Sequence, residues 1–139
     1  MRVLIINGPN LNMLGKRNRE LYGEFTLNEL NKHLKEQFKN VKFTFFQTNS
    51  EGKIINKLHK ANRYEGIIIN AGAYTHTSIA IRDALELVNV SKVAVHLSNI
   101  NEREDFRKTD YIKDVVDCVF MGEKKMSYEK AIKFLLANK

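Results

Sequence analysis

The chain is poor in the residues that staple, kink or link. It has one cysteine, one proline, seven glycines and no tryptophan among its 139 residues. A lone thiol, Cys118, forms no internal disulfide and builds no structural zinc site, so a reducing, cytoplasmic compartment is the simplest expectation. So little proline and glycine excludes a low-complexity linker, and no internal repeat is present. No apolar run approaches the ~18 residues of a membrane helix. The opening MRVLIINGPN breaks after five apolar positions, so neither a signal peptide nor a membrane span is expected. What remains is an ordinary globular composition, 43% apolar and 28% charged, of a length suited to one domain over 1–139. Lysine and arginine outnumber the acids 23 to 16, a net charge of +7. That balance favours anionic partners without choosing among nucleic acid, phosphate and carboxylate.

Short β-branched runs alternate with stretches of helical period. The runs are Val3 to Ile6, Val41 to Gln47, Gly66 to Asn70, Val93 to His96 and Val115 to Met121. LII, III and VAV lack polar alternation, as strands covered on both faces do. Between them, Thr26 and Glu29 match a capping box ahead of Leu27, Leu30, Leu34 and Phe38. Similar spacings follow Ser50 (Ile54, Ile55, Leu58, Ala61), Thr77 (Ile81, Ala84, Leu85, Val88) and Ser127 (Ala131, Ile132, Leu135). Strand and helix repeated five times predict an α/β fold, a flavodoxin-like doubly wound three-layer sandwich around a five-stranded parallel sheet. Ligands of such folds bind beyond the carboxyl ends of the strands. Those ends carry Asn7, Asn10, Asn12, Asn49, Asn70, Tyr74, His76, His96, Ser98 and Asn99.

Three segments there carry chemistry. Residues 5–23 form a connection of about twenty residues, long for a strand-to-helix link. Gly8, Gly15 and Gly23 punctuate it, with Arg17 and Tyr22 between the last two. It is no phosphate loop: six residues separate Gly8 from Gly15, and Arg17 follows Lys16 where Ser or Thr would meet magnesium. Read alone, Tyr22 serves equally as a loop anchor, with Lys16, Arg17 and Arg19 solvated. In NAGAYTHTSIAIRDAL, residues 70–85, Asn70 ends a strand and Gly72 relaxes the turn. Thr75, Thr77 and Ser78 crowd a helix start whose free N–H groups favour an anion or a carbonyl oxygen. A simple cap explains one hydroxyl but not Asn70 and His76 as well; Arg82 and Asp83 read as a surface pair. In VHLSNINEREDFR, residues 95–107, His96 ends an apolar strand at the ligand edge, and an imidazole suits proton transfer near neutral pH. A hydrogen-bonded structural histidine is the plainer alternative, and Arg103 and Arg107 among three acids read as an exposed charged turn. The lysines at 32, 35, 39, 53, 57 and 60 fall on solvated helix faces with no interleaved aromatic motif, so nucleic-acid binding is not expected. His76 and His96 lack partners at metal-ligand spacing, so no metal is expected either.

Together GPNLNMLGKR at 8–17, Tyr22-Gly23, NAGAYTHTSIAIRDA at 70–84 and VHLSNINEREDFR at 95–107 resemble type II 3-dehydroquinate dehydratase of the shikimate pathway, over nearly the whole chain. The resemblance implies a cofactor-free lyase that removes water from 3-dehydroquinate by anti elimination through an enolate, giving 3-dehydroshikimate. It implies Tyr22 as the proton acceptor, Arg17 as the cation that favours its phenolate, and Asn10 as a holder of the enolate oxygen. His96 becomes the acid that protonates the departing hydroxyl. Leu97 and Ser98 become the seat of the substrate carboxylate, and Asn70, His76 and Arg107 the partners of the ring hydroxyls. Asp83 is implied as a substrate-site residue reached from a neighbouring subunit of a homododecamer, a tetramer of trimers. Residues 16–24 become a lid that expels water.

Three departures stand out. Asn18-Arg19 replaces a common Glu-Pro in the lid, Ala94 replaces a carboxylate two residues before the histidine, and GEKKMSY at 122–128 keeps only Gly122 and Tyr128 of a glycine-rich stretch. A non-catalytic small-anion or carbohydrate-binding domain on the same fold is the alternative that Ala94 would favour.

Overall fold

The computed structural model describes residues 1–139. Its five strands are β1 (Arg2–Asn7), β2 (Lys42–Gln47), β3 (Gly66–Asn70), β4 (Ser91–His96) and β5 (Cys118–Met121), all parallel, in the order β2-β1-β3-β4-β5. This is the flavodoxin-like arrangement, with its switch in strand order between β1 and β3. The helices are α1 (Arg19–Tyr22), α2 (Leu27–Gln37), α3 (Glu51–Leu58), α4 (Ile79–Glu86) and α5 (Lys125–Ala137).

Alternation along the strands divides the core in two. Val3, Ile5, Ile68, Val93 and Val95 pack with Leu30 and Leu34 of α2 and with Tyr128, Ala131, Ile132 and Leu135 of α5. Leu4, Ile6, Ile67, Ile69 and Ala94 pack with Ile54 and Leu58 of α3 and Ile81, Ala84 and Leu85 of α4. The sheet is thus covered on both faces, as its unbroken apolar runs require.

The expected capping box closes α2, with Thr26 Oγ1 accepting from Glu29 N at 3.1 Å and Glu29 Oε1 from Thr26 N at 3.3 Å. Ser50 caps α3 as expected. β1 extends one residue beyond its run at each end, β2 begins one residue later and β4 two residues earlier, and four larger differences from the sequence reading stand out. Ser78, not Thr77, caps α4, through Ile81 N at 2.9 Å. Ser127 is not the cap of α5: that helix begins at Lys125, and Ser127 Oγ accepts from Glu123 N within the first turn. β5 begins at Cys118, because Lys113–Val115 form a 3-10 turn that β-branched content cannot distinguish from strand. The long first connection is not irregular throughout. It contains a 3-10 turn at Leu11–Met13 and the single-turn α1, whose N-cap is Asn18, accepting from Glu20 N and Leu21 N.

Candidate active site

Beyond the carboxyl ends of β1, β3 and β4 lies a cavity of about 110 Å³. Its approach is shaped by close backbone packing at Gly8, whose N–H donates to Asn70 O at 2.8 Å. A Cβ on Gly8 would stand 2.8 Å from Ala71 O, so only glycine lets the first loop descend onto β3. Gln47 Nε2 then holds Gly8 O and Asn49 Oδ1, each at 3.2 Å. Asn49 in turn accepts from Asn10 N at 3.0 Å, where Asn10 takes the left-handed conformation at φ 69°.

Of the sequence-predicted site residues, Asn10, Arg17, Tyr22, Asn70, His76, His96, Leu97, Ser98 and Arg107 all line the cavity. Asp83 does not. It is exposed on the outer face of α4, four residues from each of the exposed apolar side chains Ile79 and Leu87. Nor does Arg82 pair with Asp83. Its guanidinium donates to Tyr111 O at 2.8 Å and lies 3.8 Å from Glu86.

Tyr22 ends α1 and is 9% exposed, folded inward by the turn at Gly23 (φ 100°). Arg103, read from sequence as part of an exposed charged turn, also lines the cavity, its side chain only 13% exposed. Its Nη1 donates to Tyr22 Oη at 2.6 Å and to Ser98 Oγ at 3.3 Å. The Arg17 guanidinium lies over the Tyr22 ring, 3.8 Å from the centroid. Burial lowers Arg17 below the ordinary arginine range; Tyr22 opposes that, and the charges of Arg103 and Arg107 add to it. Glu104, outside the cavity, offsets part of this crowding from 3.6 Å and 3.1 Å of the two downstream arginines. Three arginines, and no aspartate or glutamate, line the cavity, a lining made for an anion.

His76 Nδ1 lies 2.7 Å from Thr109 O, a contact in which Nδ1 carries a proton and donates. His96 is buried, and its Nε2 has no hydrogen-bond partner within the protein. Burial pushes its pKa down to about 4; Asp110 opposes the shift and His76 adds to it. Ala94 brings no carboxylate to His96, and the acid whose charge acts on it is Asp110, whose Oδ1 is held by Ile112 N at 2.9 Å and Lys113 N at 3.1 Å. No group of three or more metal-ligating side chains occurs, and no helix is long and apolar enough to cross a membrane.

Comparison with known proteins converges on one family. The model of the family described as dehydroquinase class II matches residues 1–136. A 3-dehydroquinate dehydratase of Clostridium botulinum is 47% identical over 139 residues, covering 98% of this chain and 95% of that one. One from Fusobacterium nucleatum is 44% identical, covering 98% and 97%. The crystal structure of type II dehydroquinase from Butyrivibrio crossotus superposes with a TM-score of 0.94 at 43% identity, covering 98% and 97%. An arginine-lined cavity built around a tyrosine, on this strand order and with these relatives along its whole length, leaves one assignment: the chain belongs to the class II dehydroquinase family.

Proposed function

We propose that the cavity removes water from 3-dehydroquinate, with Tyr22 as base and His96 as acid. The observation that carries this reading is the pair of guanidiniums on Tyr22, one donating to the phenol oxygen at 2.6 Å and one over the ring at 3.8 Å. A charge-assisted hydrogen bond to the phenol oxygen and a second cation over the ring bring two positive charges to the group that takes a proton from the carbon beside a ketone. The enolate that results is held at Asn10, through water. The departing hydroxyl receives its proton from His96, whose unpartnered Nε2 is suited to meet it.

That role has to be reconciled with a pKa near 4. Before substrate arrives, the buried imidazole is uncharged at neutral pH. The substrate brings a carboxylate, seated at the backbone of Leu97 and at Ser98, and its negative charge opposes desolvation and draws a proton onto the ring. Binding thus arms the acid. Asn70, His76 and Arg107 meet the ring hydroxyls, and residues 16–24 cover the site as a lid.

Asp83 belongs to the site only through assembly. Its place between exposed Ile79 and Leu87 supports a subunit contact on α4, and we assign the chain to a homododecamer, a tetramer of trimers, in which Asp83 reaches a neighbour's cavity. The cytoplasm is its proposed location, on the strength of the free thiol Cys118. No cofactor takes part.

The test is purified protein with 3-dehydroquinate in EDTA, followed by absorbance of the conjugated enone. Product forms without metal or nucleotide, and Tyr22→Phe abolishes turnover while still binding substrate. Binding without product in the native protein would favour the non-catalytic alternative, and turnover retained in Tyr22→Phe would remove Tyr22 as the base.

A further inference from the structure

Asn7 and Asn70 end neighbouring strands, and the register of β1 on β3 sets them side by side. Both lie on the α5 face: Val3 and Ile5 before Asn7, and Ile68 before Asn70, belong to the core that contains Tyr128. The Tyr128 hydroxyl reaches between the two amides. It donates to Asn7 Oδ1 at 2.5 Å and accepts from Asn70 Nδ2 at 3.0 Å. Tyr128 is wholly buried, with Asn7 and Asn70 nearly so, and that burial raises the pKa of the phenol, so its proton stays.

A phenol has one hydrogen, and here it is committed to Asn7. The oxygen can therefore only accept from Asn70. The other end of the Asn70 amide is taken as well, since Oδ1 accepts from Gly72 N at 3.1 Å. One amide hydrogen is left, on a residue that lines the cavity.

We propose that Tyr128 is a positioning residue for substrate recognition: its hydroxyl, held by Asn7, fixes the Asn70 amide so that the cavity is offered an N–H donor and never the amide oxygen. The group selected is an acceptor, a ring hydroxyl oxygen of the substrate. The inference rests on the reading of Asn70 as a substrate contact. Without the hydroxyl clamp only the Gly72 N–H holds the amide, and a turn about its last torsion can then present the oxygen to the cavity.

A double-mutant cycle tests this, with KM and kcat measured well below the melting temperature of every variant. Tyr128→Phe is expected to raise KM about tenfold, the scale of one hydrogen bond, while kcat stays within about twofold. Asn70→Ala is expected to raise KM similarly, and the double variant no further than Asn70→Ala alone. A Tyr128→Phe enzyme with unchanged KM, beside an Asn70→Ala enzyme with raised KM, overturns the positioning role. Full additivity overturns it too, since a merely structural tyrosine would act independently of Asn70. An unchanged KM in Asn70→Ala removes the substrate contact itself, and the inference falls with it. Should Tyr128→Phe fail to fold, Asn7→Ala releases the same hydroxyl from its acceptor. KM is then expected to rise several-fold, and an unchanged KM refutes the inference.

Discussion

Replacing Arg103 with methionine keeps much of the side-chain volume and removes the donor on the Tyr22 oxygen. A hydrogen bond to a charged group is worth about 1.5–3 kcal/mol net. The bare attraction of two charges about 4 Å apart, at an effective dielectric near 20, is roughly 4 kcal/mol. Arg17 remains over the ring at 3.8 Å, and solvent enters beside the new side chain, so the net loss is about 2–3 kcal/mol. At about 1.4 kcal/mol per tenfold, kcat/KM falls on the order of fiftyfold. Arg17→Met removes a cation from the ring face, not the oxygen, a loss of about 1 kcal/mol, and lowers kcat/KM only several-fold. The assay is kcat/KM from enone absorbance for the native protein and both variants. A loss below about threefold in Arg103→Met, or a larger loss in Arg17→Met, would refute the account of the paired guanidiniums.

His96 offers a prediction on stability. Its pKa in the folded chain, about 4, lies below the ordinary 6.5. The unfolded state therefore binds more protons between those values, and stability falls as pH drops from 6.5 towards 4. His96→Gln flattens that acid limb by roughly 3 kcal/mol at pH 4, read by chemical denaturation across the range; an acid limb of undiminished slope would count against a buried, neutral imidazole. Gly8→Ala drives a Cβ against the backbone at Ala71, 2.8 Å away, and costs about 1–3 kcal/mol, measured as a lower denaturation midpoint. Asp83→Ala lowers kcat/KM although Asp83 is remote from its own chain's cavity, and Leu87→Lys reduces the mass seen by light scattering. A fully active Asp83→Ala enzyme, or an unchanged mass, would dissociate α4 from the site.

The sheet was legible because four of its five strands are runs ended by an asparagine, glutamine or histidine, so the runs located both the layers and the ligand edge. His96 was legible by type and by position at such an end, whereas Tyr22 and Arg17, within a long loop, stood out only through the family resemblance. Arg103 was not. Three acids surround it in NEREDFR, a charge pattern that reads as solvated, and the 3-10 turns at Ile100–Glu102 and Asp105–Arg107 that swing it inward leave no periodicity. The one available signal was its spacing of four from Arg107 in a segment that begins at a strand end. Ser127 and Val115 failed for a related reason. Each has the composition of the expected element, but local hydrogen bonds set the backbone differently: Ser127, already inside α5, accepts at Oγ from Glu123 N ahead of the helix, and Val115 closes a turn by donating its N–H to Ile112 O.

The division of the core between the two faces of the sheet reaches into the stereochemistry of the reaction. Tyr22 packs with the residues on the α2 and α5 side, whereas His96, two positions after Ala94, points to the side of α3 and α4. On the proposed roles, a ring resting across the strand tips would be approached from above by one group and from below by the other, so that hydrogen and hydroxyl would depart in opposite directions. The pleat of β4 sets the side of His96, and the chain's path through α1 brings Tyr22 to the other.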